Sequence, residues 1–170
     1  MYNYRIVEQI IRVPKPLTKL LRTIIIVFAV VFLLSGIIIS RGFMISGFLF
    51  VVLYYFYNTY SQKEYEYILE DRCFTINVIF GKTVRRSVHI LDMNMLEVLA
   101  PYWHNSVEKY RKGGSGTILR KFDYTSYEED ITYYTMIITE NHEKVKLLLE
   151  LSDNMLQMIK KMYPDKVYLS

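Results

Sequence analysis

One cysteine, three histidines, seven glycines and a single tryptophan in 170 residues leave several classes of function without the groups they need. Cys73 stands alone, so no intramolecular disulfide can form, which fits a reducing compartment. It also has no base partner by spacing and reads as a core or strand-edge residue. His89, His104 and His142 show no H-x₃-H or Cys/His spacing, so a metal site is not indicated, and they read as exposed strand and loop histidines. The run Arg111-Lys112-Gly113-Gly114-Ser115-Gly116 lacks the G-x-x-x-x-G-K-[ST] order, and the residues after it read as a strand. No helix N-terminus stands ready for a phosphate, and the run reads as a flexible hairpin loop. Glu128-Glu129-Asp130 reads as a solvated turn rather than a working carboxylate pair. With no acid/base or nucleophile constellation, the chain reads as non-enzymatic, with no cofactor and no small-molecule substrate.

Charge is absent from one region and concentrated in another. Residues 1–62 hold six Lys/Arg (Arg5, Arg12, Lys15, Lys19, Arg22 and Arg41) against one acid, Glu8, whereas residues 63–170 hold 15 against 16. The excess behind the net charge of +4 therefore lies in the first third. The remainder is near neutral, which argues against a nucleic-acid partner.

The sequence is rich, by contrast, in apolar length. No charge occurs from Thr23 to Ser40 or from Gly42 to Gln62. About 18 helical residues rise roughly 27 Å, close to a bilayer's hydrocarbon thickness. Only Ser40, Arg41 and Gly42 separate the runs, so the helices (about 23–40 and 42–60) form an antiparallel hairpin across residues 23–60. A cleaved signal peptide fits less well: the apolar stretch is too long, no A-x-A-like site comes after it, and a second run comes at once. A buried hairpin of a soluble protein would show polar alternation, which is missing. Five Lys/Arg precede the first run, Lys63 and Arg72 come after the second, and the turn holds Arg41 alone. This bias predicts a two-span, multi-pass protein of the cell membrane with both termini cytoplasmic. Tyr54, Tyr55, Tyr57 and Tyr60 would form the interfacial belt. Ser35-Gly36 and Ser46-Gly47 fall at matching depth in such a hairpin, where small residues let backbones approach. Neither run holds an ionisable residue of the kind an ion path uses.

Ahead of the hairpin, residues 1–22 form a juxtamembrane segment. Ile6, Val7, Ile10 and Ile11 make an i, i+4 stripe, and Val13-Pro14-Lys15-Pro16 breaks it. The segment reads either as a short amphipathic helix at the interface, with Lys15, Lys19 and Arg22 near anionic head groups, or as a solvated basic flank.

Past Lys63 the period becomes two. Tyr65, Tyr67 and Leu69 alternate with Glu64, Glu66 and Glu70; Phe74, Ile76, Val78 and Phe80 share a face; Val84, Val88 and Ile90 alternate with Thr83, Arg85, Ser87 and His89. A fourth strand falls at 95–100. A polar insertion with Trp103 occupies 101–116, and three more strands fall at 117–125, 131–139 and 144–151. Short turns and one buried face predict antiparallel pairing. Ser152 is a candidate N-cap for an amphipathic helix carrying Met155, Leu156, Ile159 and Met162, stopped by Pro164.

This order resembles a pleckstrin-homology-like (PH-like) barrel: about seven antiparallel strands capped by a C-terminal helix, all-β/α+β, over residues 63–170. With Glu66-Tyr67-Ile68-Leu69-Glu70-Asp71 shortly after two apolar runs, it resembles bacterial two-transmembrane-helix proteins of unknown function with a C-terminal PH-like domain. The resemblance implies a fold and no chemistry. It places Lys82, Arg85 and Arg86 on the hairpin that corresponds to a lipid-binding region in eukaryotic relatives, making them candidate lipid contacts. Tyr102 and Trp103 are candidate protein contacts, a local core role being the alternative. The expected function is a membrane-anchored scaffold. Its PH-like domain would contact protein, as a homo-oligomer or with another membrane protein, at the cytoplasmic face. The alternative is an anionic-lipid sensor working through the basic hairpin.

Overall fold

Pro16 supplies the preset φ of a first helical turn, and from it helix α1 runs Pro16–Ile38; after a turn at Ile39–Arg41, helix α2 runs Gly42–Ser61. The computed structural model describes residues 4–111 and 119–169. Both helices are long and apolar enough to cross a membrane, and their large side chains remain mostly exposed. Their contact surface is small residues and rings. Ile25, Ala29 and Gly36 are the buried positions of α1, and Gly47 that of α2. A Cβ on Gly36 would stand 2.3 Å from Met44 Cγ, and one on Gly47 2.7 Å from the Leu33 side chain. Hydrogen is thus the largest substituent the crossing accepts at either place. Phe50 stacks on Phe28 at 5.6 Å and on Phe32 at 5.4 Å.

Among the described residues, the remaining elements are eight strands, one α-helix and two short 3-10 turns. Strand β1 (Arg5–Ile11) precedes α1, and β2 (Lys63–Glu70), β3 (Cys73–Phe80) and β4 (Val84–Asp92) come after α2; together they form a sheet in the order β1-β2-β3-β4. Strands β5 (Leu96–Pro101), β6 (Arg120–Asp123), β7 (Tyr134–Glu140) and β8 (Glu143–Leu149) form a second, in the order β5-β7-β8-β6. Helix α3 spans Asp153–Met162, with Ser152 Oγ accepting from Met155 N as the N-cap the sequence indicates. The chain divides into two compact units. Met1–Arg12, Tyr65–Val78 and Arg86–Ser170 make one, and Val13–Glu64 with Ile79–Arg85 make the other.

The PH-like expectation holds in outline, with three corrections. First, residues 6–11, read as either an amphipathic helix or a solvated flank, lie in a strand. Asp71 N donates to Tyr4 O at 3.4 Å, Arg5 pairs with Glu70 at 4.0 Å, and Arg12 donates to the Tyr65 hydroxyl, so β1 runs antiparallel to β2. The sheet thus takes a strand from before the helices, and the domain expected to begin at residue 63 is completed by residues 5–11. Second, the strands are not all antiparallel: β6 pairs with β8 in parallel, Phe122 opposite Leu147. Third, the face of β4 is reversed. Val84, Val88 and Ile90 are exposed, while His89 and Leu91 are buried.

The core is otherwise the one the alternation indicates. Tyr67, Leu69, Phe74 and Ile76 from the first sheet and Val145, Leu147 and Leu149 from the second are buried, along with Met155, Leu156 and Ile159 of α3. Glu66, expected outside, is also buried. Asn77 Nδ2 donates to Glu66 Oε2 at 2.7 Å, and Ser87 Oγ donates to Asn77 Oδ1 at 2.7 Å, a polar row across three strands. Buried polar atoms are tolerated when paired in this way.

Candidate functional site: an aromatic platform and a basic hairpin

Pro101 is the last residue of β5, opposite Tyr134 in β7. Beyond it the chain leaves the sheet but remains tied to it. Tyr102 N donates to Tyr133 O at 3.2 Å, and His104 N closes a turn on Pro101 O at 3.0 Å. The His104 imidazole Nδ1 accepts from Ser106 N at 3.1 Å and caps a 3-10 turn over Asn105–Tyr110. That turn has one inward residue, Val107, buried against Val98, Ala100 and Ile137. Arg111 reaches back, donating from Nε to Tyr102 O at 2.9 Å and from a terminal nitrogen to His104 O at 3.1 Å. Lys146 Nζ holds Tyr110 O at 2.7 Å, and the Tyr110 hydroxyl donates to Glu97. Lys144 lies 2.6 Å from the same carboxylate. Burial opposes ionisation of Glu97, yet the Lys144 ammonium and the Tyr110 hydroxyl hold its carboxyl below the usual range.

The segment expected as a loose insertion is therefore braced at 102–111. Its Gly-rich continuation at 112–116 lies outside the described residues. Bracing fixes the two candidate contact residues in the open. Tyr102 is 44% and Trp103 49% exposed; their rings meet edge to face at 4.9 Å, and Tyr102 stacks on Tyr133 at 4.5 Å. His104 stacks on Tyr168 at 4.6 Å beside them. Tyr102 and Trp103 are thus brought together, at the surface and not in a local core. Tyr133 and Tyr168, which complete the platform, lie far away in sequence and carry no local signal. Rigid, amphipathic rings lose little entropy on contact and dominate interface energetics.

The basic residues behave differently. Gly81 and Lys82 both take positive φ, +56° and +68°, and Thr83 N bonds Phe80 O at 3.2 Å, a tight hairpin turn of the primed sense. Gly81 N donates to Gln62 O at 3.1 Å, and a Cβ on Gly81 would stand 2.5 Å from Thr59 Cγ2. The Lys82 turn is thereby held at the C-terminal end of α2. Arg85 and Arg86 are both exposed, but neighbours along a strand project to opposite faces, so the three cations do not share one surface.

Sequence reasoning missed the buried polar cluster between the sheets. His89 is 5% exposed; its Nδ1 lies 2.7 Å from Glu140 Oε2 and its Nε2 2.8 Å from the Tyr124 hydroxyl. Burial pushes that hydroxyl up to about 12, so it stays protonated beside the imidazole. Phe122 meets the imidazole edge to face at 4.7 Å, and the group borders a cavity of about 410 Å³ rimmed by Arg120 and Glu143. Both imidazole nitrogens are committed, so the arrangement works as a polar staple.

Comparison with curated proteins and with solved structures gave no match. A family model does match, and it begins at β1 and runs through both helices to the tail beyond α3. The chain belongs to the family described as Bacterial PH-like domain (DUF6106), whose model covers residues 4–169.

Proposed function

We propose that this chain is a non-enzymatic, membrane-anchored interaction protein whose PH-like domain makes protein contacts, self-assembly included, at the cytoplasmic face of the cell membrane. The observation that carries the reading is the platform of Tyr102, Trp103 and half-buried Tyr133: buried Val107 and Arg111 brace its backbone, yet the Tyr102 and Trp103 rings are left exposed. Anchoring is supported by two apolar helices that the chain itself does not cover. The placing of both hairpin ends on one side is supported by the neighbouring places of β1 and β2 in one sheet. Two strands that flank the helices in sequence can pair only if both ends of the hairpin emerge on one side of the membrane. The cation bias favours the cytoplasmic side, although Arg5 and Arg12 serve β1, leaving Lys15, Lys19 and Arg22 before the first span and Lys63 after the second, against Arg41 in the turn. Links of a few residues, at 12–15 and 62, tether the domain to the helices, and tethering raises its effective concentration toward other anchored proteins.

The test is photo-crosslinking and capture of the full-length chain in its own membrane. Trp103→Ala is expected to lose the parent's crosslinked partners, at a cost on the order of 2 kcal/mol of binding. Its melting temperature should stay at the parental value, because the ring is half exposed. Retention of every parental crosslink would overturn the platform as the contact surface. The lipid-sensing alternative is favoured by one observation, the docking of the Lys82 turn on the end of α2. It expects the opposite outcome in the same assay: crosslinks indifferent to Trp103, and association with phosphatidylglycerol vesicles that is lost with salt and with Lys82→Glu.

A further inference from the structure

Each sheet ends in two terminal strands, and three of the four are poor templates for pairing. Strand β5 is partly occupied by the C-terminal tail, since Leu99 N bonds Lys166 O at 2.8 Å and Tyr168 N bonds Leu99 O at 2.9 Å. Strand β6 is four residues long. Strand β1 shows Arg5, Val7, Gln9 and Ile11 to the outside, a row with no acid to answer its cation. Strand β4 is nine residues long, and Val84, Arg85, Arg86, Ser87 and Val88 are exposed in succession. Exposure of consecutive residues means that neither face is covered there. A long edge of this kind, free of proline, is what soluble proteins ordinarily blunt.

The outward row of β4 reads Arg86, Val88, Ile90, Asp92, all exposed. Turned end for end it reads acid, apolar, apolar, base. We propose that β4 is a self-association edge: two copies pair through it, antiparallel about a two-fold axis, with Arg86 opposite the partner's Asp92 and Val88 opposite the partner's Ile90. The symmetry makes each contact twice. Register is set by side-chain chemistry. A shift of one residue would put outward rows against inward ones, and a shift of two either way would separate Arg86 from the partner's Asp92. Asp92 already accepts from Asn94 N at 2.9 Å through one carboxylate oxygen, and the second oxygen remains for arginine. Pairing would also cover the Val88 and Ile90 side chains, which are 38% and 66% exposed. The inference deepens the self-assembly arm of the proposed function and uses a surface separate from the Trp103 platform.

The test co-expresses two tagged copies of the full-length chain and captures one through the other from the membrane. Parent copies should capture each other. Arg86→Asp alone and Asp92→Arg alone should each fall to background, because like charges then face each other at both ends. Arg86→Asp mixed with Asp92→Arg should regain capture, since every pair is again opposite in sign, and regain also shows that both variants fold. Self-capture by either single variant at the parental level, or no regain in the mixture, overturns the proposal. Val88→Cys and Ile90→Cys copies, mixed in a Cys73→Ser background and oxidised with copper phenanthroline, should form a disulfide-linked dimer; absence of that product overturns it whatever the swap variants do. Trp103→Ala run in parallel separates the two readings. If it abolishes self-capture while the swaps do not, the edge is excluded and the platform stands.

Discussion

Taking away the His89 ring removes the hydrogen-bond partner that the structure gives the half-buried Glu140 carboxylate and the buried Tyr124 hydroxyl. His89→Phe keeps the shape and removes the bonds, so it is expected to destabilise the full-length protein by about 1–3 kcal/mol, the cost of unpaired buried polar groups. Adding Glu140→Leu and Tyr124→Phe to His89→Phe should recover most of that loss, since replacing all partners by apolar ones leaves nothing unsatisfied. Urea unfolding of the single and triple variants measures both; a triple variant no more stable than the single one would mean the staple is not the source. Nothing near residue 89 announces this role. Alternation in β4 favours Val84, Val88 and Ile90 as the inner row, but the partners that draw His89 inward lie at 124 and 140, and pairing at such separation is invisible to a local pattern. Trp103 is legible because a lone tryptophan in a polar stretch stands out, whereas Tyr133 and Tyr168 sit among many tyrosines and reach the platform only through folding.

Elements whose partners are local in sequence are the legible ones. The inward row Val145, Leu147, Leu149 and Leu151 of β8 and its extension is buried, and α3 begins at its serine cap. Gly36 and Gly47 of the small pairs about Arg41 each exclude a Cβ, but against Met44 and Leu33 rather than against each other. Strand β1 is not legible, and reads as a helix or a solvated flank, because Arg5–Ile11 is too short to decide a period: Ile6, Val7, Ile10 and Ile11 satisfy a helical stripe as easily as an edge strand. Its pairing with β2 settles the matter, and that partner lies beyond both helices. The same pairing gives a way to excise the helices. Replacing residues 13–62 with an Asn-Gly turn would join β1 and β2 as an ordinary hairpin. The resulting protein is expected to be soluble and to melt higher than residues 63–170 alone, which lack β1, the Arg12–Asp123 pair and the Glu8 carboxylate that accepts from Ser152 N. Circular dichroism melts of the two proteins decide; equal melting temperatures would make β1 dispensable to the domain.

At the scale of the whole molecule, the sheet order puts the helices between the first strand of the domain and the rest, and the family match spans all of them. A single span there would separate β1 from β2 across the bilayer; two spans return the chain to the side it left. The proposed topology has the hairpin crossing the membrane and both parts of the domain on the cytoplasmic side. Cysteine accessibility tests it directly, because Cys73 is the chain's one native thiol. In intact cells, a membrane-impermeant maleimide should label Ser40→Cys in a Cys73→Ser background, and should leave the parent's Cys73 unlabelled until the cells are permeabilised and the protein denatured. Labelling of Ser40→Cys only after permeabilisation, or labelling of Cys73 in intact cells, would contradict that topology.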